Sequence, residues 1–434
     1  MKIAIIGYGL EGHSSYKYWQ DKGDITICDI NNVTVEEGAQ TQIGDNYLAD
    51  ISHFDLIVRS PIIKPADILE ASNQNVKDKI TSNTNEFFRV CPTKNIIGVT
   101  GTKGKGTTST LIAKLLTSMG KTVHLGGNIG KPALDLLNEN IQPQDWIVLE
   151  LSSFQLIDIK QSPHIAVCLM VVAEHLDWHP EINDYFNAKA QLFRYQNSED
   201  IAIYYAKNEN SKRIASTSRG WKIPYFDLPG AVINNGYVEI ANEQICSTSE
   251  LGLLGEHNWQ NICAAVTVAW QIGQDKDKIR QVLKDFKGLE HRLELVKVIN
   301  GVSYYDDSFG TTPETAIVAI KSFKQPIILI IGGSDKGASY DDLATNIKNN
   351  KVKSVILIGN QGPRIEEALI KVGYHNYLYG GSSMAEIVTT AQSLTKPGDI
   401  VLLSPACASF DMFNNYKDRG DKFKQAVLRL VSND

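Results

Sequence analysis

Residues 99–108 (VTGTKGKGTT) have the types and the order that bind a nucleotide polyphosphate. They overlap the end of an apolar, strand-like run at 96–99 and combine three glycines with Lys105. Glycines let backbone N–H groups point at phosphate oxygens, and a helix N-terminus and a lysine ammonium add positive charge. The apolar-periodic segment that follows ends at Gly120, which predicts a helix closed by a glycine. We interpret the stretch as an ATP-binding phosphate loop, and an ordinary glycine-rich turn is the alternative.

Two groups downstream are candidates for binding the magnesium that accompanies ATP. Glu150 ends an apolar strand, and His175 follows another strand directly. Carboxylate oxygens suit Mg²⁺, whereas a solvated strand-end acid and a core or loop histidine are the alternatives. His175 and His179 have the four-residue spacing of a zinc site, but the glutamate of that motif is missing and Pro180 disfavours a continuing helix. We therefore reject zinc and keep Glu150 and His175 as candidates.

Four further polar residues are candidates on weaker local evidence. Lys189 lies in a short helical segment with aromatic neighbours, and on this evidence alone it is a surface lysine. Asn258 and Asn261 begin an alanine-rich helix, of which Asn258 could equally be the N-cap. Arg292 lies at a presumed domain junction, from which a guanidinium can clamp ATP phosphates. Local sequence does not decide the role of any of the four.

Polar turns follow three strand-like runs in the last third of the chain. These turns are 306–312 (DDSFGTT), 333–337 (GSDKG) and 404–411 (SPACASFD). Carboxyl ends of parallel strands meet at one edge of a sheet, where α/β proteins bind their ligands. We expect a lysine, hydroxyls and carboxylates to gather there, and three unrelated polar turns are the alternative.

The length and patterning of the 434 residues indicate three α/β domains. Residues 1–90 open with a strand and a G-x-G-x-x-G turn, and a second strand leads to Asp29 at the offset of about 20 residues that Rossmann-like nucleotide-binding domains show. Residues 91–288 contain the phosphate loop, with two β-rich pieces near 222–246 as an excursion at the edge. Further strand-like runs of this segment lie at 146–149, 165–169 and 201–204. Residues 289–434 alternate strands and helices again, as a second Rossmann-like domain.

Composition excludes several classes of protein. Hydrophobic residues make up 43% and charged residues 21%, which is typical of globular proteins in water. The net charge of −6 without a basic block argues against nucleic acid as a partner. A run of about 18 apolar residues, which a membrane span needs, is missing, as is a signal peptide. The six scattered cysteines lack a C-x-x-C pair and indicate reduced thiols, so we expect a cytoplasmic protein.

Taken together, these motifs resemble the Mur ligases, the ATP-dependent amide-forming enzymes of peptidoglycan precursor synthesis. The resemblance runs over the whole chain, with motifs in the family's order and spacing. They are 126–130 (GGNIG), 149–155 (LELSSFQ), 257–258 (HN), 291–292 (HR), 403–409 (LSPACAS) and 416–420 (YKDRG). LSSFQ and SPACAS are the specific signals among them.

The resemblance implies a three-domain α/β fold, with a P-loop ATPase domain between two Rossmann-like domains. It implies ATP-dependent ligation of D-glutamate to UDP-N-acetylmuramoyl-L-alanine through an acyl phosphate, with two Mg²⁺ ions as cofactors. It also implies that Lys189 is a carbamylated lysine, whose CO₂ adduct supplies a further carboxylate for the second Mg²⁺. A monomer with no nucleic acid or membrane partner is expected.

The same resemblance implies a residue set for each ligand. The set for ATP is Gly101, Thr102, Lys103, Gly104, Lys105, Gly106, Thr107, Asn258, Asn261, Arg292 and Asp307. The set for the UDP-linked substrate is Gly9, Leu10, Asp29, Arg59, Ser60, Asn128, Ser152 and Gln155. The set for the incoming amino acid is Thr311, Lys336, Ser409, Phe410 and Tyr416. The catalytic set is Lys105, Glu150, His175 and Lys189, and the metal set is Thr107, Glu150, His175 and Lys189 as its carbamate.

The chain departs from the family pattern at two motifs. The loop usually reads G-T-N-G-K-S/T-T, but Lys103 replaces the asparagine and Gly106 the first hydroxyl, as is commoner in folylpolyglutamate synthases. Thr107 is therefore the predicted magnesium ligand. Phe309 replaces the lysine of the D-S-K-A-T-N motif beside the amino-acid pocket, which leaves another acceptor acid open. A folylpolyglutamate-type ligase, a NAD-dependent oxidoreductase and an inactive homologue are the remaining alternatives.

Overall fold

A computed structural model of the chain describes residues 1–175, 178–253, 255, 258–335 and 338–430. It divides into two compact units, Met1–Phe286 and Lys287–Asp434. Strands and helices alternate through both, which confirms the α/β class. Within the described ranges, no helix combines the length and the hydropathy that crossing a membrane requires.

The first sheet of unit 1 is built from short, apolar, parallel strands. They are β1 (Lys2–Ile6), β2 (Asp24–Asp29), β3 (Gln40–Ile43), β4 (Leu56–Arg59) and β5 (Ile80–Ser82). The helices between and after them are α1 (Leu10–Trp19), α2 (Pro65–Ala71) and α3 (Asn83–Val90). The sheet order is β3-β2-β1-β4-β5, with every pairing parallel. The central strand β1 has a continuous apolar run because helices cover both faces of such a sheet.

The second sheet of unit 1 carries the phosphate loop at its centre. Its strands are β6 (Ile96–Thr100), β7 (Val123–Gly127), β8 (Trp146–Glu150), β9 (Ile165–Cys168), β10 (Ile201–Tyr205) and β11 (Trp221–Tyr225). The helices of this region are α4 (Lys105–Ser118), α5 (Ser153–Leu156), α6 (Ile182–Arg194), α7 (Glu209–Ala215), α8 (Trp259–Ile272) and α9 (Lys276–Asp285). The order β11-β10-β9-β6-β8-β7 makes β8 and β9 the neighbours of β6, so the carboxyl ends of these three strands are adjacent. The predicted end of α4 is confirmed, since Gly120 follows it with a φ of +83°.

The β-rich region near 222–246 is more extensive than its sequence predicts. Trp221–Tyr225 is β11, an edge strand of the main sheet that pairs with β10. Three more strands, β12 (Val232–Asn234), β13 (Tyr237–Ile240) and β14 (Glu243–Ser247), form a separate antiparallel sheet. The two predicted β-rich pieces correspond to β11 and to this separate sheet, which the turns at Asn235–Gly236 and Ala241–Asn242 divide into short strands.

Unit 2 is built on one mixed sheet. Its strands are β15 (Glu294–Ile299), β16 (Val302–Asp306), β17 (Ile327–Gly332), β18 (Val352–Ile358), β19 (Tyr377–Tyr379) and β20 (Ile400–Leu403). Its helices are α10 (Pro313–Lys321), α11 (Asp341–Asn349), α12 (Gly362–Lys371), α13 (Met384–Ser393) and α14 (Tyr416–Leu428). The order is β15-β16-β20-β17-β18-β19, and only the β15–β16 pairing among these strands is antiparallel. The three strands that precede the polar turns, β16, β20 and β17, lie in one sheet, as predicted, and are adjacent in it.

The buried side chains explain the division into units. One apolar cluster of unit 1 runs from Ile3 and Ile5 in β1, through Phe87 in α3, to Leu149 in β8 and Leu192 in α6. The two parallel sheets of unit 1 therefore share a core. The clusters of unit 2 contain only residues from that unit. The domain bounds 1–90, 91–288 and 289–434 stay predictions.

Candidate active site

The phosphate loop has the predicted strand–loop–helix geometry. β6 ends at Thr100, α4 begins at Lys105, and the loop between them turns at Gly101 (φ +153°) and Gly104 (φ +86°). Both φ values lie in the region that favours glycine. A Cβ atom on Gly104 would lie 2.2 Å from Oδ1 of Asn261. The loop therefore needs glycine both for its conformation and for its contact with the start of α8.

Asn261 of α8 lies against this loop, and Asn258 at the N-cap of the helix contacts Asn261. Oδ1 of Asn261 accepts a hydrogen bond from the Thr108 hydroxyl at 3.4 Å, and its Nδ2 donates to Oδ1 of Asn258 at 3.0 Å. Asn258 occupies the N-cap position of α8, but its side chain makes no capping hydrogen bond. The alternative that Asn258 serves only as a cap is thus not supported, and the role of both residues in ATP binding stays a prediction.

The cations of the loop differ in exposure. Lys105 is half-buried, and its ammonium donates to the carbonyls of Gly101 and Thr102, both at 3.1 Å. Lys103 is exposed, whereas Thr107 in the first turn of α4 is buried. Lys105 thus lies against the loop, while Lys103 extends into solvent.

Lys189 is the most unusual group of the site. Its side chain projects from α6, is 1% exposed, and donates from Nζ to the carbonyl of Gly101 at 2.9 Å. The ammonium also lies 4.5 Å from the ring centroid of Tyr185, whose hydroxyl is 2.9 Å from that of Thr102. Burial, reinforced by the positive charge of Lys105, lowers the pKa of Lys189 to about 7. The surface position that the local sequence suggests is therefore wrong.

Glu150 is fixed at the end of β8. It is buried, and its Oε1 accepts a hydrogen bond from Nδ2 of Asn128 at 2.8 Å. The backbone N–H of Asn128 donates to the carbonyl of Glu150 at 2.8 Å as well. A member of the UDP set thus orients the carboxylate that belongs to the metal set.

Ser152 and Gln155 form a capping box at the start of α5. The Gln155 amide oxygen accepts from the Ser152 N–H at 2.9 Å, so its Nε2 is directed outward and donates to Oε1 of Glu11 at 2.6 Å. Oε2 of Glu11 is buried without a hydrogen-bond partner among the described residues. Burial raises the pKa of Glu11 to about 7. The sequence analysis did not single out Glu11 as a site residue, although it lies between the second and third glycines of the G-x-G-x-x-G turn.

His175 and His179 have different environments. His175 is exposed, adopts a φ of +59°, and packs against the ring of Phe154 at 4.8 Å between centroids. His179 is fully buried, with Nε2 3.0 Å from the Ser153 hydroxyl, and burial lowers its pKa to about 4. The described residues of the segment, 171–175 and 178–180, are not helical. β9 ends at Cys168, so the prediction that His175 follows a strand directly is wrong, and of the two histidines His175 is the accessible one.

The N-terminal glycine turn is held by its neighbours. Gly7 has a φ of +84°, and a Cβ atom on Gly12 would lie 2.3 Å from the carbonyl oxygen of Gly7. The carboxylate of Asp29 accepts hydrogen bonds from the N–H groups of Tyr8 (2.7 Å) and Asn31 (2.8 Å). Gly9 is the N-cap of α1, Leu10 is 69% exposed, and the hydroxyl of Ser60 donates to the carbonyl of Gly7. Asp29 and Ser60 thus hold the turn, and Gly9 and Leu10 are its accessible residues.

Arg59 is a structural residue in this structure. It is 1% exposed, and its guanidinium donates to both carboxylate oxygens of Asp158 (2.6 and 2.5 Å) and to the carbonyl of Phe154 (2.8 Å). The remaining donors reach carbonyls at Ser60, Pro61 and Ile63. The side chain joins β4 to the α5 region, so its predicted contact with the UDP moiety is not favoured by this geometry.

In unit 2, Asp307 follows β16 at the edge shared with β20. Its Oδ2 accepts from the hydroxyl of Ser404 at 2.7 Å and its Oδ1 from the N–H of Leu293 at 3.2 Å. Burial raises the pKa of Asp307 to about 7, with Arg292 among the groups that oppose the rise. A carboxylate and a hydroxyl from two of the three polar turns therefore meet at this edge, while Lys336, the lysine of the prediction, lies outside the described residues.

Four members of the predicted amino-acid set lie among the described residues of unit 2. Ser409 is buried, Phe410 is 73% exposed and donates its N–H to the Ser334 hydroxyl at 3.0 Å, and Tyr416 begins α14. Thr311 begins the turn into α10. Lys336 lies outside the described residues.

Arg419 is a structural residue that sequence reasoning missed. It is fully buried and donates to the hydroxyl and carbonyl of Ser308, both at 2.9 Å, and to the carbonyls of Cys407 and Ala408 at 3.2 and 3.3 Å. It thus joins the turn after β16, the turn after β20 and α14. The signal in the sequence was its place in the YKDRG motif.

Two domains of one protein family match the chain. Residues 99–269 match the Mur ligase middle domain, and residues 291–407 match the Mur ligase glutamate ligase domain. The chain belongs to the Mur ligase family.

Two relatives and one solved structure define the similarity further. The chain is 36% identical to the UDP-N-acetylmuramoylalanine–D-glutamate ligase of Clostridium tetani, over 99% of this chain and 97% of the relative. It is 37% identical to the ligase of the same name from Acetivibrio thermocellus, over 98% and 96%. The MurF ligase of Thermotoga maritima in complex with ADP shares the fold, with a TM-score of 0.59, 16% identity and coverage of 98% and 94%.

Proposed function

We propose that this chain is an ATP-dependent ligase that joins D-glutamate to UDP-N-acetylmuramoyl-L-alanine in peptidoglycan precursor synthesis. The observation that carries the proposal is the similarity of 36%, over 99% of the chain, to a ligase named for this reaction. The phosphate loop beside two buried groups, Lys189 and Glu150, supports it.

The chemistry begins with activation of a carboxylate. An oxygen of the L-alanyl carboxylate attacks the γ-phosphorus of ATP, and the bond from that phosphorus to the β-phosphate oxygen breaks. ADP departs, and the substrate carboxylate has become an acyl phosphate. The uncharged amine of glutamate then attacks the acyl carbon. The tetrahedral intermediate collapses to the amide and inorganic phosphate, and the amine proton is lost.

The residues of the loop have defined tasks in this proposal. The ammonium of Lys105 leaves the carbonyls of Gly101 and Thr102 and neutralises charge on the transferred phosphoryl group. The N–H groups at the start of α4 bind phosphate oxygens. Asn261, which lies against the loop, and its partner Asn258 bind ATP. Arg292 and Asp307 belong to the same proposed ATP set.

Magnesium suits the donors that the site offers. Thr107, Glu150 and His175 provide a hydroxyl, a carboxylate and an imidazole, and a carbamate at Lys189 would add two oxygens. Lys189 suits this modification because its pKa of about 7 leaves part of its amine neutral at neutral pH, and its hydrogen-bond partner among the described residues is a carbonyl. The neutral amine adds to CO₂ with loss of one proton. Two bound Mg²⁺ ions would supply positive charge that stabilises the transferring phosphoryl group.

The remaining ligands are proposed for the two ends of the chain. Gly9, Leu10 and Asp29 at the N-terminal glycine turn bind the UDP moiety, and Ser152 and Gln155 bind the muramoyl part. Thr311, Lys336, Ser409, Phe410 and Tyr416 bind glutamate. We also infer that the protein is a monomer in the cytoplasm with no nucleic acid or membrane partner. All six cysteines are free and buried, which supports a reducing compartment.

Phosphate release tests the proposal. The enzyme is incubated with ATP, Mg²⁺ and UDP-N-acetylmuramoyl-L-alanine, and with D-glutamate or one of a panel of D- and L-amino acids. Release that requires D-glutamate is expected, and omission of ATP is the control. If no amino acid leads to phosphate release, the proposed ligase activity is contradicted. If phosphate is released only with an amino acid other than D-glutamate, that amino acid replaces D-glutamate as the proposed acceptor. Oxidation or reduction of NAD without phosphate release favours the oxidoreductase.

A further inference from the structure

Phe309 lies between two polar side chains at the ligand-binding edge of unit 2. The centre of the Arg292 guanidinium is 5.7 Å from the centroid of its ring, within the range of a cation–π contact. The ring of Tyr416 meets it at 5.2 Å and 87°, an edge-to-face arrangement. One aromatic ring therefore contacts both an arginine and a tyrosine.

The backbone holds Phe309 in this place. Its N–H donates to the carbonyl of His291 at 2.9 Å, directly before Arg292. The hydroxyl of the preceding Ser308 donates to the carbonyl of Tyr416 at 2.8 Å. Backbone carbonyls at Tyr416 and at His291, the residue before Arg292, thus accept hydrogen bonds from the turn that contains Phe309.

The polar ends of the two neighbours stay available. In the part of the chain that the structure describes, the Arg292 guanidinium and the Tyr416 hydroxyl make no hydrogen bond. Phe309 itself is 45% exposed, so the ring is not part of the apolar core. A half-exposed ring that orders two side chains with available polar ends indicates a role in ligand positioning.

We propose that Phe309 is a positioning residue that fixes the side chains of Arg292 and Tyr416 for the ligands proposed for them, ATP for Arg292 and the amino-acid substrate for Tyr416. This inference rests on the proposed function for the identity of both ligands. A lysine, the residue at this place in the motif that the chain resembles, would set an ammonium beside the Arg292 guanidinium and repel it. An aromatic ring instead attracts the guanidinium through its negative face.

The test compares three variants by steady-state kinetics, with the KM of each substrate measured separately. Phe309→Leu is expected to raise the KM for ATP and for D-glutamate about threefold to tenfold, since both ring contacts are lost. Its KM for UDP-N-acetylmuramoyl-L-alanine and its melting temperature stay at the wild-type values. Phe309→Tyr, which keeps the ring, is expected to retain wild-type constants.

Phe323→Leu is the matched control. Phe323 is a half-buried aromatic residue of unit 2 whose ring packs on that of Tyr305 at 4.7 Å, and it belongs to no proposed ligand set. This variant is expected to leave all three KM values unchanged. The inference is overturned if Phe323→Leu raises the KM for ATP and D-glutamate as much as Phe309→Leu does. It is also overturned if both KM values are unchanged in Phe309→Leu.

The outcomes separate this inference from the proposed function. If the wild-type protein releases no phosphate with any acid, the proposed function fails. ATP binding by titration calorimetry, which needs no turnover, then still measures the contribution of Phe309 through Arg292. Equal ATP affinity of wild type and Phe309→Leu overturns the inference.

Discussion

Lys189 combines a charged side chain with a position where water cannot reach it. The side chain is 1% exposed, and its hydrogen bond goes to a backbone carbonyl of the phosphate loop, with Lys105 also bonded there. A buried ammonium whose hydrogen bond goes to a neutral carbonyl is unfavourable and gives up its proton more readily. The position therefore favours the neutral amine, the form that reacts with CO₂.

Replacement of this lysine tests the proposed carbamate. Lys189→Ala is expected to lower phosphate release by at least about 100-fold, because charge stabilisation at the phosphoryl group is worth several kcal/mol. Bicarbonate or acetate should restore part of the activity by supplying a carboxylate. Lys114→Ala, on the exposed side of α4, is the control and should retain full activity. Near-normal activity of Lys189→Ala contradicts the carbamate.

The same lysine predicts how stability depends on pH in CO₂-free buffer. Its pKa is lowered to about 7 in the folded chain, against 10.5 for an ordinary lysine, so the unfolded chain binds more protons between these values. The free energy of unfolding therefore rises with pH from about 7 to 10.5. Lys189→Met should flatten this rise, as measured by urea unfolding at several pH values. An unchanged slope in Lys189→Met would assign the rise to other groups.

Residue roles were the least predictable part of the site. The hydrogen bond of Lys189 joins residues 88 positions apart, and that of Arg59 to Asp158 joins residues 99 apart. Local sequence does not show partners that are so distant along the chain. On local sequence alone, Lys189 is therefore predicted to be a surface lysine. For Arg59, the family resemblance predicted a contact with the UDP-linked substrate, whereas the structure shows an ion pair between its buried guanidinium and Asp158.

At the scale of elements, the glycine turn before α1 shows why G-x-G-x-x-G is needed. A Cβ atom on Gly12 would lie 2.3 Å from the carbonyl oxygen of Gly7, whereas one on Gly9 has open space within 4 Å. Gly12 thus permits the close approach of helix and strand, and Gly9 leaves room for a ligand.

Two alanine substitutions separate these roles. Gly12→Ala is expected to destabilise the protein by about 1 to 3 kcal/mol, because the backbone of the turn must move. Gly9→Ala, its matched control, should change the free energy of unfolding by less than about 0.5 kcal/mol. Chemical denaturation measures both. Equal destabilisation by the two variants would show that space at Gly12 does not limit the turn.

Five strands that the sequence failed to predict lie at sheet edges. β3 and β5 are the edges of the first sheet, β7 is an edge of the second, and β15 and β19 are the edges of the third. Central strands such as β1 and β6 are buried on both faces and have continuous apolar runs. An edge strand needs no such run, and Gln40–Ile43 is mostly polar. Hydrophobic patterning therefore finds the strands that carry the site, at the centre of each sheet, and misses their borders.

For the whole molecule, two buried arginines stabilise different units. Arg59 joins the two sheets of unit 1 through Asp158, and Arg419 joins three loops of unit 2. The apolar clusters of the two units have no residue in common. We therefore expect each arginine to affect the stability of its own unit.

Hydrogen–deuterium exchange resolved by peptide can measure this division. Arg59→Ala should increase exchange in peptides of Met1–Phe286, and Arg419→Ala in peptides of Lys287–Asp434. Each substitution leaves buried groups unpaired, so a local loss of about 3 kcal/mol or more is expected. The exposed Arg194→Ala and Arg429→Ala are matched controls, one in each unit, and should leave exchange unchanged. Increased exchange across both units in either buried-arginine variant would show that the full chain unfolds as one cooperative body, since the perturbation would then spread beyond the core that the arginine stabilises.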